Sequence, residues 1–297
     1  MNYKKFQEVL AARVQGLLEG KATVALHRLP RNNGVWKESL DICEPGASLT
    51  PSIHMDYFYQ EYQKGVSVDH LAQLICDEYR NFKENHWIPR GFFNSYRKVK
   101  ENVFCKVISY DRNKRFLVGV PHRRWCDLAF VYYYRVPEEY CRDAAILIRS
   151  SQLERWEVRE EDLEKDAWRN TTEKLQPQLQ KLDDLLREWG EQVPEMGEIP
   201  VSRTLYLLTN QDKCLGANCI FYPGQAEEVG KMLNGDFYVL PSSIHECLIL
   251  AADQGDDAEH LQKMVAEINR TQVDPQEVLS DHVYYYSRTL HRLDICP

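Results

Sequence analysis

Phe237-Tyr-Val-Leu240 and Cys247-Leu-Ile-Leu-Ala251, separated by Pro241-Ser-Ser-Ile-His-Glu246, decide how this chain folds. Both apolar runs are too short for a buried helix and are bounded by turn chemistry, so they read as strands. Pro241 ends the first run because it has no N–H to give to a ladder. Working outward, Pro223-Gly224 opens a helix with Ala226, Val229, Met232 and Leu233 on one face, closed by Gly235. Before it, Leu205-Tyr-Leu-Leu-Thr209 and Ala217-Asn-Cys-Ile-Phe-Tyr222 are expected as strands. After it, Leu261, Met264, Val265 and Ile268 share a helical face, and Val283-Tyr-Tyr-Tyr-Ser287 suits a closing strand. The order is β-β-α-β-β-α, which predicts an α+β protein with mainly antiparallel sheets and packed helices, not a doubly wound parallel sheet.

The preceding residues mix the same elements. Phe6, Val9, Leu10, Val14, Leu17 and Leu18 recur at helical spacing up to Gly20. Thr23 to His27 and Glu38 to Cys43 read as strands joined through Asn33-Gly34, a tight-turn pair because both residues tolerate positive φ. Ser52-Ile-His-Met-Asp56 is a third strand, and Ser67 caps a helix with the stripe Val68, Leu71, Ala72, Ile75, Tyr79 and Phe82. Val103 to Tyr110, Asp127 to Tyr134 and Ala144 to Arg149 look like strands, the last two buried on both faces. Glu160 to Arg169 reads as a charged helix, and Leu179, Leu182, Leu186 and Trp189 as the stripe of another. Glu191 to Pro200, with two prolines and a glycine among acids, is the expected linker. The predicted division is an N-terminal region 1–190, with 1–90 and 91–190 as candidate subdomains, then the linker 191–200 and a C-terminal domain 201–297. A length of 297 residues agrees with about two domains at ~150 residues each.

Composition narrows the setting. Seventeen Tyr, ten Phe and six Trp supply enough apolar surface to exclude a disordered chain. A formal net charge of −8 argues against whole-surface attraction to nucleic acid or anionic lipid. The sign is uneven: from Arg97 to Arg124 nine Lys/Arg face two acids, whereas from Glu154 to Glu198 fourteen acids face seven bases. Nine scattered cysteines contain no C-x-x-C, so neither a zinc ribbon nor a thioredoxin-type site is expected, and no metal or cofactor is assigned. Met1-Asn-Tyr-Lys-Lys-Phe-Gln-Glu8 has no signal-peptide apolar core, and no run of 18 apolar residues occurs, so the expected compartment is the cytoplasm.

Chemistry-bearing strings are few. Ser242, Ser243, His245 and Glu246 put two hydroxyls, an imidazole and a carboxylate within five residues, and Asp281 could complete a hydrolase-like set. Ser243 and His245 are two residues apart, a long reach for a nucleophile and its base on one strand, and no G-x-S-x-G elbow occurs. If the strands ending at Asn210 and Leu240 are neighbours, Asn210 would converge with Ser243 and His245 at one sheet edge. The competing reading is that these groups satisfy turn backbone. His122, Arg123 and Arg124 could receive a phosphate or carboxylate. No P-loop, Rossmann fingerprint, H-E-x-x-H or kinase signature is present.

Several strings together resemble a bacterial, gut-clostridial family catalogued as domain of unknown function 5688. They are Lys100 to Tyr110, Val120-Pro-His with Asp127-Leu-Ala, Ile146-Leu-Ile with Leu153-Glu-Arg-Trp, Leu208-Thr-Asn with Gly216-Ala, Tyr222-Pro-Gly, Asp236 to Glu246, Asn269-Arg-Thr-Gln-Val and Leu279 to Tyr284. The resemblance implies a bacterial cytoplasmic protein, with an accessory role on mobile elements, and supplies no reaction or ligand. The leading expectation is therefore a non-enzymatic binding or accessory protein with a protein partner. Its alternatives are a hydrolase-like enzyme using Ser243, His245 and Asp281, and a nucleic-acid binder acting through residues 97–124.

Overall fold

The computed structural model describes residues 1–45, 52–85, 91–138, 144–188, 190, 204–241, 243–252 and 258–296. The chain is α+β with antiparallel sheets. It forms two compact units, 1–99 with 135–146 and 100–134 with 147–297.

In the first unit, α1 (Tyr3–Leu17) starts where the Asn2 side chain accepts from the Lys5 N–H at 2.9 Å. Its wholly buried Phe6, Leu10 and Val14 are spaced by four, so one face meets the core. β1 (Thr23–Pro30) and β2 (Trp36–Cys43) pair antiparallel, and the turn between them places Asn33 and Gly34 at φ 59° and 70°. β3 (Ser52–His54) extends this sheet along β2. The expected third strand stops there, because α2 (Met55–Gln63) begins at once and turns Met55 and Phe58 inward. α3 (Val68–Asn85) is capped as expected by Ser67, whose Oγ accepts from His70 N–H at 3.2 Å. α4 (Tyr96–Val99) closes the segment. Leu40 and Ile42 from the sheet and Leu71 and Ile75 from α3 join the α1 stripe in one core.

The second unit holds Asn210, Ser243, His245, Glu246, Asp281 and the string His122 to Arg124. Its first elements are β4 (Val103–Ser109), α5 (Tyr110–Asn113), β5 (His122–Trp125) and β6 (Leu128–Arg135), with sheet order β4-β6-β5. After β7 (Ala145–Leu147), whose Ala145 and Ile146 count with the first unit, come α6 (Ser150–Trp156) and α7 (Glu160–Lys174). α7 and a later segment cover the edge of β4 with side chains. Asn170 Nδ2 donates to Val103 O at 2.8 Å, Thr171 Oγ1 accepts from Cys105 N–H at 2.8 Å, and Asn218 Nδ2 donates to Cys105 O at 2.9 Å. Buried amide and hydroxyl groups thus satisfy backbone that another strand would otherwise pair.

The remaining elements are β8 (Pro177–Lys181), α8 (Leu182–Glu188), β9 (Leu205–Asn210), α9 (Gln225–Leu233), β10 (Phe237–Leu240), β11 (Cys247–Ala251), α10 (Ala258–Thr271), β12 (Tyr284–Ser287) and β13 (Arg292–Ile295). Six strands form one sheet in the order β13-β12-β10-β11-β9-β8. Leu261 and Val265 of α10 pack on Tyr238, Leu240 and Val283 from one face.

Three expectations change. Ala217 to Tyr222 is no strand: Gly216–Phe221 is a 3-10 turn whose first five residues are all buried, and an apolar run this short has no period to tell the two apart. Leu179 sits in β8, so the stripe it was to share with Leu182 begins only at α8. Of the two strands expected to be buried on both faces, β6 is, whereas Ala145 of β7 is exposed. The segment 191–200 lies outside the described residues, but β8 before it pairs with β9 after it, from Pro177↔Asn210 to Lys181↔Tyr206. Residues 177–181 therefore belong with the C-terminal strands.

Candidate functional site

Strand alternation divides the basic string 122–125. Arg123 and Trp125 point to one side of β5 and His122 and Arg124 to the other. On the first side, Arg123 stands opposite Phe130 in the β5–β6 register. α7 adds Trp168, Arg169 and Thr172, which share a helix face through their i+3 and i+4 spacing. Phe221 and Pro223 come from the 3-10 turn and the residues after it. Together these residues line a cleft of about 510 Å³. Phe130 is buried, while Trp125, Trp168 and Phe221 are half-buried, each leaving ring surface to the cleft.

The rings fix one another edge to face. Trp125 meets Phe221 at 4.9 Å and 69°, and Phe130 meets Phe221 at 5.1 Å and 83°. Phe130 and Trp168 lie 5.3 Å apart, and Trp168 rests on Tyr222 at 6.3 Å. The Trp125–Phe221, Phe130–Phe221 and Trp168–Tyr222 pairs bring a positive ring edge to a negative face, while Phe130 and Trp168 are tilted at 58°. The charged groups on the walls are both guanidinium. Arg123 Nη1 is 3.0 Å from Glu164 Oε1, and Arg169 Nη1 is 2.9 Å from Asp166 Oδ1. The carboxylates hold the arginines without lining the cleft themselves.

The sequence singled out Arg123 here and missed the aromatic walls, which come from three stretches far apart in the chain. A signal was present: Arg124-Trp125 and Trp168-Arg169 both set an indole beside a guanidinium. The expected trio of His122, Arg123 and Arg124 is divided between the two sides of β5, with Arg123 alone of the three lining the cleft. Arg124 lies over the Tyr110 ring at 4.1 Å and donates through Nε to Cys126 O at 2.9 Å. His122 Nδ1 bonds Val120 O at 2.8 Å, which places its proton on that nitrogen.

The basic run 97–124 is also dispersed. Arg97 and Lys98 belong to the first unit and the rest to the second. Within the second, Arg112 pairs with Asp281 at 2.6 Å and Lys114 with Asp111 at 2.7 Å, while Arg123 meets Glu164. Acids near and far in sequence thus answer part of the local excess of positive charge.

The strands that end at Asn210 and Leu240 are not neighbours, because β11 lies between β9 and β10; it is the residues leading into β11 that come near Asn210, where Thr209 Oγ1 donates to His245 O at 2.8 Å. Ser242 lies outside the described residues. The converging polar groups bond to backbone. Wholly buried Asn210 donates through Nδ2 to Cys214 O at 2.8 Å and accepts from Asp212 N–H at 3.0 Å. Ser243 Oγ accepts from the His245 N–H at 3.0 Å, and Ser243 bridges to Val278. Leu215 N–H donates to His245 Nδ1 at 3.2 Å, and His245 Nε2 lies 3.6 Å from Glu277 Oε1. The acceptor nitrogen that a general base would offer to serine is thus occupied by an amide. Asp281 accepts from Asn269 Nδ2 at 2.9 Å and from Arg112, so it serves a different set of partners. Among the described residues, Ser243, His245 and Asp281 form no relay.

Glu246 is the titratable group of interest in that string. Burial holds its carboxyl above the usual range, against the opposing pull of His245 and a Ser243 hydrogen bond. A raised carboxyl pKa favours the folded, protonated form. That contribution is complete below the unfolded value near ~4.3 and fades as pH rises through the folded value. Glu246→Gln should therefore melt higher than the parent at pH 7 and coincide with it below about pH 4. A thermal-melt series across pH checks this, and a lower melting point for Glu246→Gln at pH 7 would contradict it.

The model of a family of unknown function, DUF5688, matches residues 3–288. No curated protein and no solved structure matches the chain.

Proposed function

Because the chain belongs to DUF5688, a family that brings no activity with it, we propose its function from the cleft: a non-enzymatic binding protein whose ligand seats among Trp125, Phe130, Trp168 and Phe221. The resemblance to bacterial cytoplasmic accessory proteins belongs to the same proposal. The cleft carries the reading. Two half-buried tryptophans and a half-buried phenylalanine kept open to solvent cost hydrophobic stabilisation, at ~25 cal/mol for each Å² left wet, that a purely structural packing would recover. About 510 Å³ falls within the ~300–1,000 Å³ of small-molecule sites, and an apolar wall with a few placed polar groups is their usual composition.

The hydrolase reading is not favoured, since His245 offers its acceptor nitrogen to Leu215 and Asp281 serves Arg112 and Asn269. Nor is the nucleic-acid reading, because the basic run is divided between two units and Lys100, Arg112, Lys114 and Arg123 are paired with acids.

Intrinsic fluorescence tests the proposal, since Trp125 and Trp168 sit in the cleft walls. Screening a chemically mixed fragment set should yield at least one ligand that shifts the emission saturably. Trp168→Ala should weaken that ligand by roughly tenfold or more, the loss of one aromatic stacking partner being worth about 1–3 kcal/mol. A screen with no saturable ligand, or one whose ligands bind Trp168→Ala unchanged, would remove the cleft as the site.

A further inference from the structure

We infer that the cleft takes a planar aromatic anion, a flat conjugated ring bearing one carboxylate or phosphate. This rests on the reading of the cleft as a binding site. The walls supply ring edges and faces from Trp125, Phe130, Trp168 and Phe221, set nearly perpendicular to one another at Phe221. A flat ring entering such walls gains stacking and edge contacts with little loss of rotamer freedom. The volume admits a bicyclic ring with a small anionic group and excludes a folded polypeptide.

Charge selects the rest of the ligand. Both charged side chains on the walls are arginines, and Thr172 is their uncharged polar neighbour. Glu164 engages one edge of the Arg123 guanidinium and stays out of the lining, whereas Arg169 is met by Asp166 at Nη1 and by Asn170 Oδ1 and Glu101 at Nη2, so Arg123 is the guanidinium with an edge to offer. A guanidinium carries five N–H donors in a fixed fork, so a carboxylate on one edge orients it and leaves donors for a second anion. An aromatic cage for an ammonium ligand needs the opposite arrangement, with nothing cationic on the wall. The cleft therefore matches an aromatic anion and repels an aromatic cation.

The test uses the full chain and titrates Trp fluorescence or binding heat with matched probes. One arm compares 2-naphthoate with 2-naphthylmethanol and 2-naphthylmethylammonium. The other compares adenosine 5′-monophosphate with adenosine and with inorganic phosphate. The anion of at least one arm should bind about tenfold or more tighter than its neutral counterpart, with the ammonium probe weakest. The stronger arm separates an aryl carboxylate from a nucleotide. Arg123→Gln, at an exposed position, should weaken the anion about tenfold and the neutral probe by less, so that the preference for the anion shrinks. Trp168→Ala should weaken both. Neutral or cationic probes binding as tightly as the anions would overturn the ligand class and leave cleft binding standing. Phosphate alone matching the nucleotide, or anion binding that survives both substitutions, would also overturn it. If no aromatic probe binds and the fragment screen is empty, the cleft reading itself fails.

Discussion

Asp127→Ala should destabilise the second unit by about 3 kcal/mol. Asp127 sits in the turn between β5 and β6, after Cys126 at φ 49°, and its carboxylate is buried. One oxygen accepts from Ser280 Oγ at 2.6 Å and the other from Tyr284 OH at 2.8 Å, while its main-chain oxygen accepts from Tyr110 N–H at 2.7 Å. The hydroxyls lie 153 and 157 residues away, so this side chain ties the β5–β6 hairpin to the six-stranded sheet. Burial, reinforced by the neighbouring Asp127 charge, holds the Tyr284 hydroxyl far above its usual pKa, so it stays a proton donor at any ordinary pH.

Truncation leaves both hydroxyls without their acceptor. Bonds to a charged group contribute about 1.5–3 kcal/mol each, and relief of the desolvated carboxylate offsets part of the loss. Urea unfolding followed by tryptophan emission is a suitable measure, because the Trp125 ring lies 5.2 Å from Tyr284. Tyr284→Phe should cost less, and the double variant should fall short of the sum because the two share one bond. A loss below about 1 kcal/mol for Asp127→Ala would show that the hairpin is held by packing alone.

Gly216→Ala should be as damaging, at about 3 kcal/mol. Gly216 follows Leu215, which is left-handed at φ 54°, and its N–H donates to His245 O at 2.9 Å. A Cβ there would lie 2.4 Å from Thr209 Oγ1, 2.5 Å from Asn210 N and 2.9 Å from His245 O. Two of these atoms are backbone at the adjoining ends of β9 and β11, and they cannot retreat without opening the Cys247↔Leu208 pairing. Thr209 Oγ1 also donates to His245 O at 2.8 Å, so its rotation would break a second bond. Gly235→Ala is the control, since its Cβ would enter open space, and it should change stability by no more than about 0.5 kcal/mol. Equal melting of the parent and Gly216→Ala would mean that this junction yields, contrary to the close approach seen here.

Both sites bear on what was legible in the sequence. Local regularities carried the class of the fold. The period of Phe6, Leu10 and Val14 gave α1, Asn33-Gly34 gave the first hairpin, and Ser67 gave the start of α3. The two apolar runs around Pro241–Glu246 became β10 and β11, paired from Phe237↔Ala251 to Leu240↔Leu248. Where the local pattern was silent, expectation and structure part. Ala217 to Tyr222 is apolar enough for a strand, yet close approach at Gly216 and the Asn218 bond to Cys105 O draw it into a buried 3-10 turn.

The sequence by itself determined antiparallel α+β order, because side-chain periodicity reports which face of a local element is apolar. Tertiary structure alone decided the cleft, the division into units and the roles of the polar candidates. The cleft's walls join residues near 125, 168 and 221, and Arg123 and Arg112 of the basic run find Glu164 and Asp281. A ring or a charge has no period that names its partner. Which group satisfies it depends on the long-range strand pairings that bring distant segments within a few ångströms.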